Sequence, residues 1–192
     1  RARVRPGETV AVVGANGAVG MCLVQVAVAY GARVVATVRD AQSVDVLRGL
    51  GAAHVVVAEA EDAPREAAGA SSDGVDVLID TTGHVDVAAA LDELNPRGRM
   101  VLVAGRGTAE IDVWRFYTRE AQLIGFVMSA MTAPELAAAA DWIDARHAAR
   151  TLRVSIGAVM SFNDAARAHA MVEAGQTPRM GDGTRGRLVL RP

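Results

Sequence analysis

The stretch TVAVVGANGAVG, residues 9–20, constrains the fold of this chain more than any other. Its first five residues are apolar and β-rich, as expected for a strand that is buried on both faces. Gly14, Gly17 and Gly20 follow at intervals of three and open an apolar stretch. Glycines in a strand–turn–helix unit let the turn close tightly and let the backbone approach a pyrophosphate, which the free N–H groups of the helix then bind.

This stretch predicts a nucleotide-binding turn, with an ordinary glycine-rich turn as the alternative. The spacing is G-x-x-G-x-x-G, whereas the usual dinucleotide fingerprint is G-x-G-x-x-G. The context favours the nucleotide, because a buried strand precedes the glycines, an apolar helix follows them, and a second strand comes next.

Strand and helix patterns alternate through the first 150 residues with short connections. Strands are predicted at 9–13, 33–38, 54–58, 75–80, 99–105 and 121–128. Helices are predicted at 18–30, from Asp40 to about Leu50, at 61–69, at 85–94, and from Thr132 or Pro134 to about Ala149. This alternation indicates an α/β fold with a doubly wound parallel (Rossmann) sheet of about six strands in the order 3-2-1-4-5-6.

The rhythm changes near residue 151. A strand at 152–161, a capped amphipathic helix at 163–175 and a last strand at 186–192 predict a C-terminal β-α-β tail. The glycine-rich stretch before the last strand predicts a mobile loop at 175–186. We therefore expect a dinucleotide-binding domain at 1–150 and a separate tail at 151–192.

Composition excludes several functional classes. The net charge of −2 with interspersed signs gives no electrostatic basis for binding nucleic acid. No apolar run reaches the length of a membrane span. A single cysteine, Cys22, excludes a disulfide framework, and the four histidines lack the spacing of metal ligands, so we expect no metal site. These features favour a reduced, cytoplasmic setting.

The end of the second predicted strand bears on the choice of cofactor. An NAD site places an acidic residue there, whereas an arginine accommodates the 2′-phosphate of NADP. Here Val38 ends the strand and Arg39 and Asp40 follow. Arg39 could bind the 2′-phosphate or be an ordinary solvated arginine. Asp40 could bind the ribose of NAD, but its place before a helix favours an N-cap. NADPH is therefore favoured over NADH.

The chain resembles the quinone oxidoreductase (zeta-crystallin-like) branch of the medium-chain dehydrogenases/reductases. Its landmarks follow in collinear order: GETVAVVGANGAVG, GARVVATVRD followed by LRGLGA, VDVLIDTTG, GRMVLVAG, LIGFVM, and ARAHAMVEAG followed by GRLVL. That branch has a relaxed A-x-x-G-x-x-G turn, which accounts for the irregular spacing. The resemblance implies a zinc-independent oxidoreductase that uses NADPH to reduce a quinone or an activated alkene.

The resemblance also implies the cofactor-binding residues, and it implies no catalytic acid or base among these residues. The implied residues are Asn16, Gly17, Ala18, Val19, Arg39, Ser43, Thr81, Thr82, Gly83, Val103, Ala104, Gly105, Phe126, Val127 and Met128. Asp80 belongs to the same implied segment as Thr81. Several relatives carry a lysine at the position of Ser43 and a tyrosine at that of Ala58, and this chain has neither.

Two further expectations concern the whole protein. The chain opens without an initiator methionine, and full members of the branch begin with a large catalytic domain, so we expect a piece of a longer protein. It is therefore either the NADPH-binding portion of an oxidoreductase or a nucleotide-binding domain without activity of its own; an excised enoyl reductase domain of a polyketide synthase is a variant of the first. The apolar edge strand 122–128 predicts a homodimer.

Overall fold

The computed structural model describes residues 1–176 and 186–192 and divides into two compact units, Arg1–Leu152 and Arg153–Pro192. The first unit contains a six-stranded parallel sheet in the order β3-β2-β1-β4-β5-β6. Its strands are β1 (Thr9–Val13), β2 (Arg33–Val38), β3 (His54–Val57), β4 (Val75–Asp80), β5 (Leu94–Leu102) and β6 (Gln122–Gly125). The predicted fold class and strand order are confirmed.

Six helices connect or follow these strands. They are α1 (Ala18–Ala29), α2 (Val44–Gly49), α3 (Ala63–Ala70), α4 (Val87–Glu93), α5 (Val113–Thr118) and α6 (Ala133–Ala148). Two 3₁₀ turns, Ala41–Ser43 and Met128–Ala130, precede α2 and α6. Asp40 caps the first of these turns by accepting a hydrogen bond from the Gln42 amide at 3.0 Å, as its predicted N-cap role requires.

A hydrophobic cluster covers each face of the sheet. One cluster joins β1, β2 and β4 to α1 and α2, and the other joins β1, β4 and β5 to α3 and α4. Valine and alanine dominate both clusters, so the core is built from small side chains that allow close approach of helix to strand. Because helices cover both faces, a ligand can reach the backbone of the sheet at the carboxyl ends of its strands.

Several element boundaries differ from the sequence prediction, and one helix was not predicted; the clearest differences are at β6, β5 and α5. The sixth strand ends at Gly125 rather than 128, because the chain leaves the sheet at Val127 and enters the second 3₁₀ turn. The fifth strand begins at Leu94, five residues early, with a register shift against β4. Helix α5 was not predicted; its six residues are too few to show a helical period, and its start depends on the side chain of Asp112, which accepts a hydrogen bond from the Arg115 amide at 3.1 Å.

The second unit contains a parallel pair of strands, β7 (Ile156–Ser161) and β8 (Arg187–Arg191), with α7 (Ala165–Glu173) between them in sequence. This arrangement is the predicted β-α-β tail. Of the predicted mobile loop, residues 177–185 lie outside the described part of the chain. In the parts of the chain that are described, no helix is long and apolar enough to cross a membrane.

Candidate functional site

Two glycines at the turn between β1 and α1, Gly14 and Gly20, occupy places that a larger residue could not take without a clash. Gly14 has a φ of +76°, in the left-handed region, and a Cβ built there would lie 2.6 Å from the Thr81 hydroxyl oxygen. At Gly20 an added Cβ would lie 2.3 Å from the Gly14 carbonyl oxygen. The first glycine therefore lets the turn pass under the end of β4, and the third lets α1 pack directly on the turn.

Gly17, the middle glycine, is the N-cap of α1 and has no side chain that could cap the helix. Its neighbours Ala18 and Val19 are exposed and Asn16 is half-buried, so the first turn of the helix opens to solvent. The first amides of a helix have no acceptor within the helix and carry its positive dipole. The turn therefore presents N–H groups to an anion, and the residues fit a pyrophosphate.

Asp80, the last residue of β4, organises the loop that follows it. This carboxylate is buried and accepts hydrogen bonds from the amide and hydroxyl of Thr82, at 2.8 and 2.7 Å, and from the Gly83 amide. The Thr81 hydroxyl donates to the Val13 carbonyl at 2.7 Å. The loop is thereby tied to the end of β1, which places the implied residues 81–83 beside the glycine turn.

The buried carboxylate of Asp80 holds this loop in place by hydrogen bonds, a structural role that the sequence analysis did not identify. The signal was present, because an aspartate followed by two threonines and a glycine after a strand is typical of an Asx turn.

At the end of β2, Arg39 is exposed and directly follows the buried Val38. Within residues 1–176 and 186–192, no group pairs with its guanidinium. Ser43 lies in the adjoining 3₁₀ turn and is only 3% exposed. Of the two residues that the resemblance assigns to the 2′-phosphate region, Arg39 is therefore the one whose side chain is open to a ligand.

Two clefts lie at the carboxyl end of β5. The smaller has a volume of about 490 Å³ and is formed by the ends of β5 and β6. Its lining includes five of the implied residues: Val103, Ala104, Gly105, Phe126 and Val127. Met128, also implied, starts the second 3₁₀ turn, is 67% exposed and does not line this cleft.

The larger cleft, of about 890 Å³, lies against the loops that precede α4 and α5. It shares Ala104 and Gly105 with the smaller cleft and also contacts Gly83. The charged side chains that line it are four carboxylates, Glu61, Asp80, Asp86 and Glu110, and one arginine, Arg106. The larger cleft is therefore lined mainly by acidic groups and offers an anionic ligand no net positive charge.

Comparison with known proteins identifies the family. Residues 18–145 match the family described as zinc-binding dehydrogenase. The chain belongs to this family. Among the described residues, no group of three or more histidine, cysteine, aspartate or glutamate side chains could hold a metal ion. These residues therefore do not provide the ligand set that the family description implies.

Curated relatives of this family member include several quinone oxidoreductases. The enzyme of Mus musculus is 30% identical over 98% of this chain and 56% of its own length. The human quinone oxidoreductase is 28% identical over 97% of this chain and 55% of its own. An acryloyl-coenzyme A reductase of Metallosphaera sedula is 37% identical over 54% of this chain and 29% of its own. The chain thus spans about half the length of the quinone oxidoreductases that it matches.

Solved structures agree with this relationship. AibC superposes with a TM-score of 0.83 at 30% identity, over the whole of this chain and 55% of that one. The quinone oxidoreductase of Thermus thermophilus, which was solved with NADPH, superposes with a TM-score of 0.73 at 30% identity, over the whole of this chain and 60% of that one. The chain is therefore a nucleotide-binding portion of the medium-chain oxidoreductase type.

Proposed function

We propose that this chain is the NADPH-binding portion of a zinc-independent oxidoreductase that transfers hydride to a quinone or an activated alkene. The observation that carries the cofactor choice is the exposed, unpartnered Arg39 directly beyond the buried Val38, within the part of the chain described. An arginine at this place accommodates a 2′-phosphate, whereas an NAD site needs a carboxylate. Asp40, the next residue in the chain, is a carboxylate that is engaged as a cap.

The proposed site runs along the carboxyl edge of the sheet. Arg39 would hold the 2′-phosphate, the amides after Gly17 would hold the pyrophosphate, and the smaller cleft would hold the nicotinamide end. Val103, Phe126 and Val127 make most of that cleft apolar, which suits one face of the nicotinamide ring. The quinone oxidoreductase of Thermus thermophilus supports this proposal, because it has a similar fold and was solved in complex with NADPH.

In this proposal the protein contributes position rather than acid–base groups. NADPH supplies the hydride when it is bound. The apolar wall of the smaller cleft excludes water from one side of the ring and fixes its orientation, and a hydride acceptor must lie in near-attack geometry on the other side. The names of relatives, quinone oxidoreductase and acryloyl-coenzyme A reductase, support an acceptor with a conjugated carbonyl or quinone system.

Titration of the protein with NADPH and NADH, followed by mixing with a simple benzoquinone, tests the proposal. We expect tight NADPH binding, weaker NADH binding, and oxidation of NADPH when the acceptor is added. Binding of NADPH without turnover would instead support the second candidate, a nucleotide-binding domain with no activity of its own. The second candidate is favoured by the chain's span of only about half the length of the quinone oxidoreductases that it matches. Failure to bind either nucleotide would refute both.

A further inference from the structure

Arg99 is a buried cation that forms hydrogen bonds with the chain segment preceding the first strand of the sheet. It lies in β5 and is only 7% exposed. Its Nε donates to the Ala2 carbonyl at 2.7 Å, and Nη2 donates to the Arg3 carbonyl at 3.4 Å. Nη1 and Nη2 also bind both carboxylate oxygens of Glu8, at 3.1 and 2.6 Å. One guanidinium therefore contacts three residues of the amino-terminal segment, which we define as residues 1–8.

Packing of the core alone does not explain an arginine at position 99. A buried guanidinium is costly unless all its donors are satisfied, and an apolar side chain would fill the same place in the core at lower cost. The segment completes the arrangement, because the Arg5 amide also donates to Glu8, at 2.8 Å. Ala2 and Val4 pack against the hydrophobic cluster beneath. The amino-terminal segment is thus folded around Arg99.

The same segment leads to the smaller cleft. The Arg3 guanidinium donates to the side chain of Gln122 at the start of β6, at 3.1 Å. Arg1 lines the smaller cleft beside residues 102–105 and 125–127. Arg1 also forms an ion pair of 2.7 Å with Glu135, in the first turn of α6. Arg99 and the cleft are therefore connected by a continuous series of contacts along the segment.

We propose that Arg99 is a positioning residue for the smaller cleft. By holding the carbonyls of Ala2 and Arg3 it fixes the course of the amino-terminal segment, and thereby the place at which Arg1 lines the cleft. The proposal rests on the function proposed above, in which the nicotinamide end of NADPH occupies this cleft. It implies that Arg99 affects the nicotinamide end of the cofactor and leaves the adenosine end, near Arg39, unaffected.

The test compares two ligands in two arginine variants. Adenosine 2′,5′-bisphosphate carries the 2′-phosphate and lacks nicotinamide, so it probes the adenosine end alone, whereas NADPH probes both ends. In Arg99→Met we expect NADPH affinity to fall by about three- to tenfold and bisphosphate affinity to stay unchanged. Arg33→Met is the control, because Arg33 is also a strand arginine with a carboxylate partner, but its pair with Asp73 lies on the surface. It should alter neither affinity.

Two milder variants keep the proposal testable if Arg99→Met folds poorly. Arg99→Lys retains the positive charge but loses the planar set of N–H donors of the guanidinium. Glu8→Gln retains the shape of the carboxylate but removes its charge. Both should show the same selective loss of NADPH affinity to a smaller degree. Hydrogen exchange of the amides in residues 2–8 should quicken in these variants and stay unchanged in Arg33→Met.

The outcomes separate this proposal from the proposed function. If the unmodified protein binds both ligands and Arg99→Met weakens both equally, or weakens neither, the positioning role is refuted while nucleotide binding stands. If the unmodified protein binds neither ligand, the proposed function is refuted and this proposal falls with it. A loss confined to NADPH supports both.

Discussion

At the scale of single residues, the glycines of the turn have different physical roles. Gly20 is required by packing, since any Cβ would overlap the backbone of the turn. Gly17 has a φ of −75° and a ψ of 175°, a conformation open to any residue, and a Cβ there would lie 3.2 Å from the Gly14 carbonyl oxygen. A side chain at Gly17 therefore requires its neighbour to shift by a few tenths of an ångström, and we expect its main effect to be on ligand binding.

We expect Gly17→Val to abolish or greatly weaken NADPH binding while the protein stays folded, because the side chain would occupy the space in which the backbone approaches the pyrophosphate. Fluorescence titration measures the binding, and circular dichroism with thermal melting measures the fold. Gly20→Ala is the comparison, and we expect it to lower the melting temperature. A folded Gly17→Val protein that retained its affinity would show that the phosphate turn is wrongly assigned.

Arg39 is expected to determine the preference for NADPH over NADH. A hydrogen bond to a charged group contributes about 1.5–3 kcal/mol, so Arg39→Ala should reduce NADPH affinity by about ten- to a hundredfold and leave NADH affinity nearly unchanged. Isothermal titration of both cofactors measures the ratio. Arg65→Ala removes another exposed arginine, in α3, and serves as the control. Equal affinities of the unmodified protein for the two cofactors would contradict the assignment.

At the scale of elements, the amino-terminal segment is joined to β5 by the ion pair between Glu8 and Arg99, whose side chains are 16% and 9% exposed. Burial raises the pKa of Glu8, but the hydrogen bonds from Arg99 and from the Arg5 amide, together with the charges of both arginines, outweigh it. The net effect is a pKa below the ordinary value of 4.5.

The stability of the fold should therefore depend on the charge of Glu8. A carboxyl group whose pKa is lower in the folded state stabilises the protein above its unfolded pKa, and this contribution is lost as the pH falls through the folded pKa. We expect Glu8→Gln to lower the free energy of unfolding by about 1–3 kcal/mol at pH 7. The difference from the unmodified protein should shrink once the pH falls below 4.5.

Urea unfolding at a series of pH values measures this dependence. Glu66→Gln in α3 is the control, because Glu66 forms an exposed ion pair with Arg65. Exposed pairs contribute little, so this variant should show almost no difference at any pH. A difference for Glu8→Gln that persisted undiminished at low pH would contradict the role given to the ionised carboxylate.

At the scale of the whole molecule, β6 ends the sheet, and among the described residues no strand pairs with its outer side. Phe126 donates its amide to the Leu102 carbonyl of β5 at 3.0 Å. Because amides alternate in direction along a strand, the Leu123 amide is directed to the outer side. Ile124 and Phe126 instead pack against the hydrophobic cluster, so a substitution there would disturb the core as well. We propose that two copies pair through β6 as a homodimer.

Leu123→Pro tests this dimer, because it removes an outward amide and leaves the inward amides of Ile124 and Phe126 in place. Light scattering should give about twice the chain mass of 20.0 kDa for the unmodified protein and the single mass for the variant. Leu123→Ala, which keeps the amide, should remain dimeric. The proposal fails if the unmodified protein is a monomer at tens of micromolar.

The order of the six strands and the glycine turn could be predicted from the sequence because both depend on local patterns. A buried parallel strand is recognisable as a short apolar run, and a helix that connects two parallel strands forms a right-handed crossover. The end of β2 could likewise be predicted, since Val38, Arg39 and Asp40 are adjacent in the chain. The helix α5 could not, because it is too short for its period to show.

What only the tertiary structure decided are the contacts between residues far apart in the sequence. Arg99 contacts Glu8 across 91 positions, and the Thr81 hydroxyl contacts the Val13 carbonyl across 68. No local pattern distinguishes Arg99 from an exposed arginine, because its burial depends on the path of the amino-terminal segment. The smaller cleft likewise exists only because parallel pairing brings the ends of β5 and β6 to the same edge of the sheet.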